Sequence, residues 1–133
     1  MKLTTKSEYS LLALVYIARS GNNDYVKIED ICKKYDISKK YLEHLFLSLK
    51  QAKYLKAKRG SNGGYKLAVS PQKISVAEII RLMDGALAPT LVVSKYFFEH
   101  TPIEKEKKIM SVFKEIRDYI SNKVERLKIA DLI

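Results

Sequence analysis

Apolar positions recur at helical spacing in five stretches of this chain and alternate with polar ones in a sixth. Thr5 and Glu8 stand three apart ahead of the apolar run Leu11–Ala18, a capping-box spacing that predicts a helix from Thr5 to about Arg19, closed by Gly21-Asn22-Asn23. A second helix is expected over about 28–35, with Ile28 and Ile31 inward and Lys33 and Lys34 outward; its entry is weakly marked, because Lys27 stands where a Ser or Thr cap is usual. After a tight turn at Asp36-Ile37, Ser38 caps a third helix to about Ala52, with Leu42, Leu45, Phe46 and Leu49 on its apolar side. Two helices joined by so short a turn predict a helix-turn-helix.

Leu55 and Ala57, then Tyr65, Leu67 and Val69, alternate with Lys56, Lys58 and Lys66 as two strands of a hairpin. The tip between them, Lys58-Arg59-Gly60-Ser61-Asn62-Gly63-Gly64, is glycine-rich because a tight connection needs positive φ angles. Ser75 and Glu78 repeat the capping spacing, with Ile74 and Ile79 as a hydrophobic staple, so a fourth helix runs from about Val76 to Asp84 and stops at Gly85. Residues 86–102 form a linker with two prolines. Ile109, Phe113, Ile116, Ile120, Val124 and Leu127 then mark one stripe on a last helix from about Ile103 to Leu127. Either a second copy of the chain covers that stripe or it packs back on its own domain; the homodimer is the favoured expectation. The fold class is thus mainly α with a small β-hairpin, in three segments: a winged helix-turn-helix over 1–85, the linker over 86–102, and a dimerisation helix and tail over 103–133.

Charge gives this fold a partner. The net charge of +10 is unevenly placed, with 14 Lys and Arg against 6 Asp and Glu in residues 1–70 and 11 against 9 in 71–133. A polyanion is expected at the first half, unless the lysines merely form a solvated surface. A recognition helix turns its N-terminal residues to base edges, here Ser38, Lys39, Lys40, Glu43 and His44. Tyr41 is expected half buried with its hydroxyl on phosphate. Arg59 suits a narrow minor groove, and Lys58 with the tip amides of residues 60–64 suits phosphate. Thr4, Lys6 and Tyr9, at the start of the first helix, are expected at the DNA backbone, the alternative for Thr4 and Thr5 being capping alone. A single cysteine, Cys32, excludes an intramolecular disulfide, fits a reducing cytoplasm, and is expected as a small buried residue. Eight apolar residues at 11–18 are too few to span a bilayer, so no membrane role is expected.

Four fragments, Leu3-Thr4-Thr5-Lys6-x-x-Tyr9, Ile37-Ser38-x-x-Tyr41-Leu42-Glu43, Arg59-Gly60-x-x-Gly63-Gly64-Tyr65 and Ala130-Asp131-Leu132, occur in order and together resemble the Rrf-two family of bacterial winged helix-turn-helix regulators. The resemblance spans nearly the whole chain. It implies a dimer formed through the last helix and a two-fold symmetric operator. Iron–sulfur members of that family hold their cluster with three cysteines in the loop before that helix, whereas residues 88–108 here contain none and offer only His100 as a soft ligand. No cofactor and no metal are therefore expected. These relatives carry Gln at the place of His44, which implies a different preferred sequence, and Pro or Gly at the places of Ser61 and Asn62, which alters the stiffness of the tip.

The function expected is a cytoplasmic, sequence-specific transcription factor, a homodimeric repressor on double-stranded DNA. Its signal would be a small-molecule effector or a regulatory protein. In the linker, Leu91, Val92, Val93, Tyr96, Phe97 and Phe98 either pack between the last helix and the DNA-binding domain or form the effector surface, for which Tyr96, Phe97 and Phe98 are the candidates. The competing class is a protein-interaction module on a winged-helix scaffold, for which DNA would be incidental. An enzyme is not expected, since there is no nucleophile–base pair, phosphate loop or metal cluster.

Overall fold

The computed structural model describes residues 1–21 and 24–133. Asn22 and Asn23, assigned above to the first terminating turn, lie outside the described residues.

Helix α1 (Thr5–Arg19) is capped one residue earlier than its spacing predicts: the Thr4 hydroxyl accepts from the Lys6 N–H at 3.2 Å, and the Glu8 N–H donates to the Thr4 carbonyl at 3.2 Å. Thr5 thus occupies the first helical turn with its hydroxyl free for other partners. The stripe Ser7, Ser10, Leu14 and Ile17 faces the core. Helix α2 (Ile28–Tyr35) buries Ile28 and Ile31 and ends at Asp36 in the left-handed region, with φ 54°. The turn at Asp36-Ile37 leads to Ser38, whose hydroxyl caps α3 (Lys39–Gln51), which buries Leu42, Leu45, Phe46 and Leu49.

Lys53, at φ 66°, turns the chain into β1 (Leu55–Lys58), which pairs antiparallel with β2 (Gly64–Leu67), placing Leu55 opposite Leu67 and Ala57 opposite Tyr65. Ala57 is exposed, contrary to the alternation, because only the Leu55 end of this short ribbon lies over the core. Val26 adds a third rung: its N–H and carbonyl exchange two 2.7 Å hydrogen bonds with Tyr65. The ribbon is thereby fastened to the entry of α2, and the Tyr65 ring meets Phe46 edge-on at 4.7 Å.

Helix α4 (Val76–Asp84) is capped by the Ser75 hydroxyl, which accepts from the Glu78 N–H at 3.1 Å, and Ile74 and Ile79 are both fully buried, as the staple predicts. The Glu78 carboxylate accepts from the Tyr54 hydroxyl at 3.1 Å. The last helix, α5 (Lys107–Arg126), starts four residues later than expected, because Pro102–Lys105 form a 3-10 turn and Glu106 is extended. The chain then returns to the first half: the Ile129 N–H donates to the Ile74 carbonyl at 2.9 Å, and its side chain joins Leu14, Ile17, Ile31 and Phe46 in the main core.

The apolar stripe on α5 is divided between two surroundings. Phe113 packs with Ile103 and Met110 over Ala88, Val92 and Val93, while Ile120, Val124 and Leu127 pack over Val76, Ala77, Ile80 and Leu87. Four of the six residues expected to meet a partner therefore lie against their own chain. Ile109 and Ile116 remain exposed, together with Val112 and Tyr119. At about 100° per residue these four form one edge of an apolar sector too wide for a single contact, and the sector is divided lengthwise between two faces.

Candidate nucleic-acid interface

Three elements meet on one surface. The outward face of α3 carries Lys39, Lys40, Glu43, His44 and Leu47, all exposed. Ser38, Lys40, Tyr41, Glu43, His44 and Leu47 line an open groove of about 600 Å³. Tyr41 is half buried, as its position predicts: its ring lies edge-on to Tyr9 at 5.8 Å, and its hydroxyl is 2.9 Å from that of Thr5. This pair ties the start of α1 to α3.

The lysines of α3 are not equivalent. The Lys39 ammonium is 2.8 Å from the Glu29 carboxylate on α2 and 3.9 Å from Glu43. This contact lowers the Glu29 pKa and raises that of Lys39, in each case chiefly through their mutual hydrogen bond. Lys39 is therefore directed back along its own surface, whereas Lys40 borders the groove. Cys32, on α2, is half buried rather than fully so; burial, assisted by the negative charge of Glu29, raises its thiol pKa and keeps it in the unreactive protonated form.

The glycines of the tip are required by shape. A Cβ on Gly63 would lie 2.1 Å from the Lys58 carbonyl oxygen, and one on Gly64 would lie 2.3 Å from that of Val26. The Gly63 N–H donates to the Gly60 carbonyl at 3.0 Å, so this amide serves the turn itself. Lys27 donates to the Ser61 carbonyl at 3.0 Å, and Lys58 and Lys66 lie over the Tyr25 ring at 5.8 and 4.8 Å. Tyr25 thus organises cations at the base of the wing while Arg59, Ser61 and Asn62 stand exposed. A cleft of about 210 Å³ between wing and helices is lined by Glu29, Lys39, Glu43, Gly60, Gly63 and Gly64 among others, which places the wing tip beside α3.

At the start of α1 the expected phosphate contacts separate. The Asp84 carboxylate, at the end of α4, accepts from the Thr4 N–H at 2.9 Å, the Thr4 hydroxyl at 2.6 Å and the Ser7 hydroxyl at 2.6 Å. Partial burial works to raise the Asp84 pKa, but the bonds from Ser7 and Thr4 outweigh it and hold it below the ordinary carboxylate range. Thr4 therefore serves as a cap and a link to α4. Lys6 and Thr5 are exposed and Tyr9 half exposed on the same end of the helix. Leu47 and Tyr25 also border this surface, and neither is singled out by the sequence reading above. Leu47 lies seven residues after Lys40 and so shares its face, a spacing that could have found it.

The linker divides in two. Val92 and Val93 are buried against α5, while Tyr96, Phe97 and Phe98 are 70, 42 and 50% exposed. Arg81, ion-paired with Glu125, lies 5.0 Å from the centre of the Tyr96 ring; Phe98 meets His100 edge-on, and the His100 Nδ1 lies 3.0 Å from Glu104.

A sequence model described as "Rrf2: Iron-dependent Transcriptional regulator" matches residues 3–133. The chain is 42% identical over 86 residues to the HTH-type transcriptional regulator IscR of Cereibacter sphaeroides, a match covering 63% of this chain and 56% of that protein. It is 30% identical over 132 residues to a putative HTH-type transcriptional regulator of Synechocystis sp., covering 99% and 87%. Among solved structures it resembles CymR (YrzC), the global cysteine regulator of B. subtilis, with a TM-score of 0.80 at 26% identity over 99% of this chain and 95% of that one. It also resembles T. potens IscR, with a TM-score of 0.76 at 27% identity over 99% and 85%. The loop before α5 has no cysteine, and among the described residues no three His, Cys, Asp or Glu side chains converge on a point.

Proposed function

Because the chain belongs to the Rrf2 family of transcriptional regulators, we propose that it is a sequence-specific, double-stranded-DNA-binding repressor that works in the cytoplasm as a homodimer on a two-fold symmetric operator. The observation that carries this reading is the single surface formed by the outward face of α3, the exposed wing tip with Arg59, and the Thr5–Tyr41 hydroxyl pair at the start of α1. Lys40, Glu43 and His44 supply donors and an acceptor for base edges, Arg59 reaches the minor groove, and Lys6 with the two hydroxyls meets phosphate. The exposed edge of α5, Ile109, Val112, Ile116 and Tyr119, supports the second copy, since these apolar groups are spaced for a helix partner. The Tyr96–Phe98 surface supports a site for an effector or regulatory protein, with Arg81 and Glu125 coupling it to both α4 and α5. The signal is other than an iron–sulfur cluster.

Selection of bound duplexes from a random pool by the purified, metal-free protein tests this. An enriched two-fold symmetric sequence is expected, with log K falling against log salt at a slope of about −7 for about four phosphate contacts per half-site. Binding without enrichment would favour the protein-interaction module, for which DNA is incidental.

A further inference from the structure

We infer that Leu47 reads the C5-methyl of a thymine in the major groove, as a specificity-determining residue of the recognition helix; this rests on the DNA-binding reading above. The groove that receives base edges is lined by Ser38, Lys40, Tyr41, Glu43, His44 and Leu47. Leu47 is the aliphatic member of that set and is 52% exposed, although its neighbour Phe46 is fully buried. A single exposed leucine on a protein surface is ordinary. This one occupies a helical face otherwise made of Lys40, Glu43 and His44, on which a polar side chain would cost nothing in folding.

The position is suited to a base. Leu47 follows Lys40 by seven residues, two helical turns on the same face and about 10 Å along the axis, the length of about three base-pair steps. A leucine neither donates nor accepts a hydrogen bond. The apolar feature that distinguishes one base pair from another in the major groove is the thymine methyl. With Lys39 held by Glu29, polar reading falls to Lys40, Glu43 and His44 near the start of α3, and Leu47 extends readout to a further base pair by contact alone.

The test replaces each thymine of the selected duplex in turn by deoxyuridine, which removes only that methyl, and measures binding of the wild-type chain and of Leu47→Ala. Because Leu47 is exposed, the variant should keep its fold, which circular dichroism checks. At one thymine per half-site, deoxyuridine should weaken the wild type about fourfold, the equivalent of one buried methyl, and leave Leu47→Ala unchanged. The inference is overturned if no thymine methyl matters to the wild type, or if Leu47→Ala loses as much as the wild type at the same position. Failure to enrich any sequence instead overturns the regulator reading and this inference with it. The deoxyuridine arm on an enriched site thus separates the two failures.

Discussion

Replacing Asp84 tests how the start of α1 is held. Three donors converge on its carboxylate, the Thr4 N–H, the Thr4 hydroxyl and the Ser7 hydroxyl, and Ser7 is fully buried. Asp84→Ala leaves the Ser7 hydroxyl without this acceptor, at about 1–3 kcal/mol. The charge lies at the positive end of α1 and at the negative end of α4, so the two helix-dipole contributions, about 0.3–1 kcal/mol each, offset. Water replaces the bonds to the partly exposed Thr4. The expected loss is about 2 kcal/mol, a fall of about 1 M in the urea midpoint for a slope of about 2 kcal/mol/M. Asp84→Asn keeps an acceptor oxygen and the shape of the group, and should cost about 1 kcal/mol. The two variants also differ from the wild type in their dependence on pH. The folded-state pKa of Asp84 is depressed, so its contribution is fully present above the unfolded value of about 3.9 and is lost as pH falls through the folded value. The gap between wild type and Asp84→Asn should therefore be constant from about pH 7 to 5 and close below about 4. Urea unfolding followed by circular dichroism, at one protomer concentration because a dimer links stability to concentration, measures both quantities. A cost below about 0.5 kcal/mol for Asp84→Ala, or a gap to Asp84→Asn that persists on acidification, would refute the argument.

Further tests address other contacts. Val112→Asp with Ile116→Asp, on the exposed edge of α5, should give a folded monomer in sedimentation velocity, whereas Val124→Asp should lose cooperative unfolding because Val124 packs over α4. Gly64→Ala places a Cβ 2.3 Å from the Val26 carbonyl at a φ of 139°, so it should break the Val26–Tyr65 pairing and lower the melting temperature; an unchanged melting curve would count against the wing geometry. Glu29→Gln should release Lys39 to phosphate, tightening binding to random duplex at low salt and steepening the salt slope by about one unit per half-site; an unchanged slope would mean that Lys39 already reaches DNA.

Much of this architecture follows from rules that act within a few residues. The apolar spacing of Leu42, Leu45, Phe46 and Leu49, the Ser38 and Ser75 caps, and the glycines at 60–64 place the third and fourth helices and the wing, because helical periodicity and backbone sterics do not depend on distant chain. Errors arose where two neighbouring residues could satisfy the same local rule. Thr4 and Thr5 could each cap α1, and the choice went to Thr4, whose hydroxyl also donates to Asp84. The spacing predicts too early a start for α5 because it does not disclose that Pro102–Lys105 wind as a 3-10 turn.

The succession of helices and hairpin, the basic first half and the helix-turn-helix with its wing are legible along the chain, since each is set by side chains close together in it. The packing of distant segments selects which part of the apolar sector of α5 is covered at home, the pairing of Lys39 with Glu29, the fastening of the ribbon by Val26, and the closing of the start of α1 by Asp84, 80 residues after Thr4. Periodicity specifies that a face is apolar and charge specifies that a residue can pair. Only the packing of distant segments selects the surface or the ion that each one meets.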